Sequence, residues 1–262
     1  MRIKVGDILI NYELSGNENA PVVMMSHSLG SSSIMWQPQL EALAPRYRLL
    51  RFDTRGHGQS DAPKGAYNLE QLAGDALALL DTLEIDKVHF VGLSMGGMIA
   101  QCFALSHPER LMSLALCDTA AVVPDEAQPI WQERIDATRR YGMAAGVDET
   151  MQRWFTRSYL AKSPPAVEKI RAQFLNTPAE GFIGCSEAIR RLNYMDRLSS
   201  IQLPALIIVG ADDPGTPVSA SEEMHARIPA SELVIIPSAA HLSNIEQPDA
   251  FNQALVSFLD RQ

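Results

Sequence analysis

The stretch that most constrains the fold is Val88-His-Phe-Val-Gly-Leu-Ser-Met-Gly-Gly-Met-Ile-Ala100. Val88 to Leu93 is β-rich and reads as a short buried strand, and Met95 to Ser106 reads as a helix. Ser94 occupies the turn between them. The pattern Gly92-Leu93-Ser94-Met95-Gly96 is G-x-S-x-G, and its residue types follow from the tightness of that turn. The serine backbone is strained, and glycines on either side remove Cβ atoms that would strike the neighbouring strand and helix. Such a turn lifts Oγ clear of a sheet and sets it at a helix N-terminus. There the Met95 N–H can meet a developing negative charge. Ser94 is the candidate nucleophile; the plainer alternative is a Gly/Ser-rich strand-to-helix turn.

Around this unit the chain alternates strands with amphipathic helices. Residues 2–14 read as a hairpin, 22–25 as a buried strand, 36–43 as a helix and 47–52 as a strand. Leu72, Ala76, Leu79, Leu80 and Leu83 share one helical face, with Asn68 available as N-cap. A strand at 111–117 follows the Ser94 unit. The alternation predicts an α/β fold, a mostly parallel doubly wound sheet.

The rhythm breaks from Thr119 to Ser200, where no strand is evident and helical stretches at 131–145, 148–155, 165–175 and 183–195 follow one another. This segment carries 11 Lys and Arg against 10 Asp and Glu, whereas the rest carries 11 against 21. It is expected to be an inserted helical cap, so that 1–118 and 201–262 form the two parts of the α/β core around 119–200. A few extra helices packed elsewhere is the alternative. Strands at 205–209 and 233–236, a helix at 219–228 and a last helix after Pro248 complete the core.

Composition narrows the function. A net charge of −9 disfavours nucleic acid or an anionic membrane as partner. No apolar run approaches the roughly 20 residues of a membrane span, and the first ten residues alternate like a strand instead of resembling a secretory signal. Cys102, Cys117 and Cys185 are odd in number, far apart and in apolar or helical surroundings. They read as reduced core residues of a cytoplasmic protein, forming neither a disulfide framework nor a metal site. No H-E-x-x-H, P-loop or dinucleotide fingerprint is present, so no metal or organic cofactor is expected.

A serine nucleophile needs a base and the base needs an orienting carboxylate. Of six histidines, His89 lies within a strand, while His107 and His225 fall at helix ends or the surface. His27 and His57 lie on loops but precede Ser94. His241 alone follows a late strand within a loop, matching the chain order Ser…Asp…His; His57 is its competitor. For the carboxylate, Asp213 opens the turn Asp213-Pro-Gly-Thr-Pro217 at the end of a strand, with Asp212 and Asp118 as alternatives. A second oxyanion donor is expected from the loop after the 22–25 strand, at Leu29 N–H with Ser28 as alternative.

These residues make the chain resemble an α/β-hydrolase, and among those the 3-oxoadipate enol-lactonases of bacterial aromatic catabolism. The resemblance runs through Ser26-His-Ser-Leu-Gly30 with Met35-Trp36, Phe52-Asp-Thr-Arg-Gly-His-Gly-Gln-Ser60 and Gly92-Leu-Ser-Met-Gly-Gly97. It continues in Arg153-Trp-Phe-Thr156, Ala188-Ile-Arg190 and Ala240-His-Leu-Ser-Asn-Ile-Glu-Gln-Pro248. The last string and Arg153-Trp-Phe-Thr156 are the more particular to the lactonases. The sequence departs from that pattern at Arg191-Leu-Asn-Tyr-Met195, after Ala188-Ile-Arg190, and at His27, where asparagine is common. The resemblance implies serine-dependent hydrolysis of a small lactone or ester by Ser94, His241 and Asp213, with Leu29 and Met95 holding the oxyanion. A broader carboxylesterase or another lactonase, such as one opening acyl-homoserine lactones, is the alternative. A non-catalytic ligand-binding protein of this fold is a more distant one. An enol-lactone of this kind carries a free carboxylate, so an arginine anchor is expected in the cap. Arg134 is the first choice, before Arg190 and Arg153, with Trp36, Trp131 and Trp154 as aromatic walls.

Overall fold

A computed structural model describes residues 1–262. Eight strands form one sheet: β1 (Arg2–Val5), β2 (Ile8–Gly16), β3 (Val22–Ser26), β4 (Arg48–Phe52), β5 (Val88–Leu93), β6 (Leu111–Cys117), β7 (Ala205–Gly210) and β8 (Ser231–Ile236). Their order is β1-β2-β4-β3-β5-β6-β7-β8. β2 runs antiparallel to β1 and β4, and every other pairing is parallel. β3, β5, β6 and β7 are buried along nearly their whole length, as strands covered on both faces must be.

The helices are α1 (Leu40–Leu43), α2 (Leu69–Thr82), α3 (Met95–Ser106), α4 (Gln128–Tyr141), α5 (Val147–Trp154), α6 (Arg157–Leu160), α7 (Pro165–Asn176), α8 (Ala179–Ile189), α9 (Val218–Arg227), α10 (Ser243–Glu246) and α11 (Pro248–Leu259). The crossover from β3 to β4 steps one way along the sheet, and those from β4 to β5 and β5 to β6 step the other way. Right-handed crossovers therefore place α1 on one face and α2 and α3 on the opposite one. The direction reverses between β3 and β5, where Ser26 pairs with Gly92. This is the switch point at which α/β sheets open a crevice beyond their strand ends. It brings the loop after β3 beside the turn carrying Ser94.

Helices α4 to α8 lie between β6 and β7 as the cap, and one cluster of 72 buried apolar residues runs through core and cap. Two stretches differ from expectation. The 36–43 helix is a 3₁₀ turn, Ser33–Gln39, followed by the single turn α1. Pro38 within it has no N–H to continue an α-helical ladder. The helix expected at 183–195 is α8, which starts after Pro178 and ends at Ile189. Tyr194 N–H instead donates to Ala121 O, and Asn193 bridges Val122, so the chain leaves the helix to tie the two ends of the cap together.

Candidate active site

Ser94 sits between β5 and α3 with φ 56° and ψ −116°, a strained conformation for a residue with a Cβ. Its surroundings over-determine it. Ser94 N–H donates to Cys117 O at 2.9 Å, and its carbonyl accepts from Thr119 Oγ1 at 2.7 Å and Met98 N at 3.1 Å. A Cβ at Gly92 would stand 2.2 Å from Gly96 O, and one at Gly96 would stand 2.2 Å from Ser26 O. Both glycines are therefore required by close approach of backbone to backbone.

Ser94 Oγ lies 2.9 Å from His241 Nε2, and His241 Nδ1 lies 2.7 Å from Asp213 Oδ2. The turn after β7 aims Asp213 inward. Its Oδ1 accepts from Gly215 N at 2.8 Å and Thr216 N at 3.1 Å, and Oδ2 accepts from Thr216 Oγ1 at 2.6 Å. With Asp213 accepting from Nδ1–H, Nε2 is free to accept the Ser94 hydroxyl proton. Burial alone would raise the Asp213 pKa, but the His241 imidazole and the hydrogen bonds to His241 and Thr216 hold it below the usual carboxylate range. Burial lowers His241, yet the field and hydrogen bond of Asp213, with Asp118 behind, lift it above the ordinary 6.5 against the opposing charge of Arg153.

The other candidates fall elsewhere. Asp212 is exposed, with its N–H on Ala239 O. Asp118 is fully buried behind the Asp213–His241 pair, accepting from Gly210 N at 2.8 Å and hydrogen-bonding Ser243 Oγ. It thus laces the loop bearing Asp213 to the loop bearing His241. Burial, then repulsion from Asp213, push its carboxyl up to about 8. His57 is buried and bonded to the loop after β3, away from Ser94. Leu29 N–H donates to no acceptor within the fold, and Met95, as first residue of α3, has no intrahelical acceptor. The Asp53–Ser60 loop is a structural anchor: Asp53 accepts from Ser33 N, Gln59 N and Asn11 Nδ2, and Arg55 grips Asp75 through two bonds.

A cavity of about 260 Å³ opens above Ser94 and His241. Leu29 and Met98 line its sheet side, and Trp131, Arg134, Thr150, Arg153 and Trp154 line its cap side. Arg153 is paired, to Glu149 at 2.9 Å and to Thr150 Oγ1 at 3.0 Å. Burial, then the neighbouring Arg134, lower its pKa to about 10. Arg134 is different. Its guanidinium lies 5.1 Å from the centroid of the Trp131 ring, no carboxylate pairs with it, and its buried Nε has no hydrogen-bond partner. Burial lowers its pKa.

Two expected lining residues are not in the cavity. Trp36 is fully buried against Phe251, because the 3₁₀ turn directs it into the core beneath the site. Arg190 follows the end of α8 and turns to Gln128, Gln132 and Glu187 on the cap itself. The sequence reading missed Phe174, Phe182 and Ile189, which line the cavity from positions that look like ordinary core positions on cap helices. It also left out Thr216, although Asp213-Pro-Gly-Thr contained the signal.

A mostly parallel sheet with a serine on the strained turn after β5, a histidine after β8 and a carboxylate after β7 defines the α/β-hydrolase class. The chain belongs to the alpha/beta hydrolase fold family, whose pattern matches residues 21–248. It is 38% identical over 255 residues to 3-oxoadipate enol-lactonase 2 of Acinetobacter baylyi, covering 97% of this chain and 94% of that one. The crystal structure of the enol-lactonase from Burkholderia xenovorans LB400 superposes with a TM-score of 0.96 at 39% identity, covering 99% of this chain and 100% of that one. A thermophilic esterase from Thermogutta terrifontis, solved with malate bound, superposes with a TM-score of 0.94 at 32% identity, covering 100% and 98%. The protein is thus a hydrolase-family member close to the enol-lactonases. The two strings most particular to that resemblance touch each other here. Leu242 N–H donates to Trp154 O at 3.0 Å, and the Glu246 carboxylate accepts from Thr156 N at 3.2 Å and from Ala240 N at 3.0 Å. They dock the cap onto the His241 loop.

Proposed function

We propose that the protein hydrolyses a small carboxylated lactone, 3-oxoadipate enol-lactone, to 3-oxoadipate in the catabolism of aromatic compounds. The observation that carries this reading is Arg134, a cavity-lining arginine without a carboxylate partner above a serine, histidine and aspartate in hydrogen-bonded sequence. Arg134 is half-buried, its buried Nε has no hydrogen-bond partner and no carboxylate lies within ion-pair distance of it, so a ligand carboxylate can pair with its guanidinium. The likeness to enol-lactonases and to an esterase solved with a dicarboxylate supports the same substrate class.

In this mechanism Ser94 Oγ attacks the lactone carbonyl while His241 Nε2 takes its proton and Asp213 stabilises the imidazolium. The carbonyl oxygen, now anionic, sits on the Leu29 and Met95 N–H groups. The ring C–O bond breaks, His241 returns the proton to the enol oxygen, and the enol ketonises while still esterified to Ser94. Water, deprotonated by His241, then attacks the ester and releases the acid. Trp131 and Trp154 wall the apolar part of the ring. The test is product analysis with a panel of lactones and short-chain esters, alongside Ser94→Ala. Carboxylated enol-lactones are expected to be the fastest substrates, with turnover lost in Ser94→Ala by several orders of magnitude while the fold is retained. Faster turnover of neutral esters or acyl-homoserine lactones moves the assignment to those substrates. Near wild-type turnover by Ser94→Ala refutes the mechanism.

A further inference from the structure

Two buried imidazoles lie behind the loop after β3, and the mechanism above gives neither a role. His27 and His57 are both fully buried, with ring centroids 5.2 Å apart. His27 Nε2 accepts from Thr54 N–H at 2.9 Å. A backbone N–H can only donate, so Nε2 is unprotonated and Nδ1 carries the hydrogen. That Nδ1–H donates to Ser28 O at 2.8 Å. By the same logic His57 Nε2 accepts from Gly30 N–H at 2.9 Å, and its Nδ1–H faces Arg55 O at 3.3 Å. Burial holds both rings in this neutral state.

The consequence comes from peptide geometry. Ser28 C=O and Leu29 N–H are the two ends of one rigid plane and point in opposite directions. Two donors, His27 Nδ1–H and the Ser31 N–H at 3.1 Å, hold the Ser28 carbonyl and therefore fix the direction of the Leu29 N–H. They also polarise the peptide group, making that N–H a stronger donor. The next peptide, Leu29 C=O to Gly30 N–H, is held by His57. Leu29 lines the cavity, and its N–H has no acceptor in the fold.

We propose that His27 and His57 are positioning residues that clamp the two peptide units flanking Leu29 and so pre-orient the Leu29 N–H toward the oxyanion formed at Ser94. This rests on the serine-hydrolase reading above. It assigns the buried pair a task in the transition state that packing alone would not give them.

The variants are chosen by atom position. His27→Phe keeps the ring and loses the donor, whereas in His27→Asn the amide Nδ2 takes the place of Nδ1. His57→Leu loses the acceptor, whereas in His57→Gln the Oε1 takes the place of Nε2. Three quantities are read: kcat, affinity for an alkylboronic acid that becomes tetrahedral on Ser94, and affinity for cyclopentylacetate, whose carboxylate can pair with Arg134 while its neutral ring places no anionic oxygen at Ser94. His27→Phe is expected to lower kcat and boronate affinity together by about 10- to 100-fold, the scale of a misplaced catalytic group. KM and cyclopentylacetate affinity stay within about threefold, because the interaction is made only in the transition state. His27→Asn recovers most of both losses, and the His57 pair follows the same pattern. Unchanged boronate affinity in His27→Phe, or equal losses of boronate and cyclopentylacetate, overturns the proposal. If His27→Phe and His57→Leu do not fold, the double variant His27→Asn/His57→Gln decides. Boronate affinity within about tenfold of wild type supports the clamp, and a greater loss with cyclopentylacetate binding intact contradicts it. Wild-type protein that neither binds boronate nor hydrolyses lactones defeats the serine-hydrolase reading itself, a different result from either.

Discussion

At the scale of single residues, Asp212 and Asp213 are neighbours in the chain and opposites in the fold. Asp213 is buried and hydrogen-bonded to His241, while Asp212 faces solvent. Asp213→Asn is expected to lower kcat by about 10³- to 10⁴-fold, because the amide no longer secures the tautomer that leaves Nε2 as acceptor. Asp212→Asn is expected to stay within about twofold. Steady-state kinetics on one ester substrate checks both, and the reverse ranking would reassign the acid. The convergence of Ser94, Asp213 and His241 was legible because each follows a strand end with its own turn chemistry, and strand ends of such a sheet meet on one edge. Trp36 and Arg190 were not legible. Whether a tryptophan on a short turn points to cavity or core depends on Phe251, more than 200 residues away, and Arg190 is claimed by Gln128 and Gln132 of another helix.

At the scale of elements, the elbow is held by approaches that leave no room for a side chain. Gly96→Ala places a Cβ 2.2 Å from Ser26 O, between α3 and the end of β3. It is expected to destabilise the fold by about 1–3 kcal/mol, as overpacking does. Gly74, within α2, has nothing within 4 Å of its Cβ position. Gly74→Ala is expected to stabilise by about 0.5–1 kcal/mol, since glycine in a helix interior costs roughly that much. Urea unfolding of the pair checks the contrast, and equal effects would mean that the close packing around Gly96 does not govern its stability. Strands and the α2 and α3 helices were readable from periodicity, which reports burial on one or both faces. Cap boundaries were less so: α4 starts and ends a few residues before expectation, and α8 stops at Ile189, ahead of residues 193 and 194 that bond to the start of the cap. Those contacts are tertiary, and local sequence carries no trace of them.

At the scale of the whole molecule, buried titratable groups set how stability follows pH. Burial lowers His27, pushes His57 down to about 3 and pushes His89 down to about 4, against an ordinary 6.5. The unfolded chain takes up these protons first, so the stability present above pH 6.5 is lost as pH falls from 6.5 toward 4. Asp118, raised to about 8, works the other way, because the folded state keeps a proton that the unfolded chain releases above 3.8. His241, lifted above 6.5, acts in the same direction as Asp118. Three depressed histidines against these two leave a net acid destabilisation as pH falls toward 5. His89→Gln, in β5 and bonded to Ser113 Oγ at 2.8 Å, is expected to reduce the pH slope by up to about 1.4 kcal/mol per pH unit. Asp118→Asn is expected to steepen it. Calorimetry between pH 7 and 5 reads both, and an unchanged slope in His89→Gln would show that this ring titrates normally. Charge at this scale also frames the substrate question. A protein of net charge −9 repels an anionic lactone unless a local cation compensates, and Arg134 is the cavity arginine that makes no contact ion pair with a protein carboxylate. The most direct test compares kcat/KM for a carboxylated enol-lactone and its methyl ester in wild type and Arg134→Ala. Wild type is expected to prefer the free acid, and Arg134→Ala to raise KM for the acid alone by about 10- to 150-fold, the worth of a charged hydrogen bond at about 1.5–3 kcal/mol. No preference in wild type, or equal losses on acid and ester, would contradict a carboxylate held by Arg134.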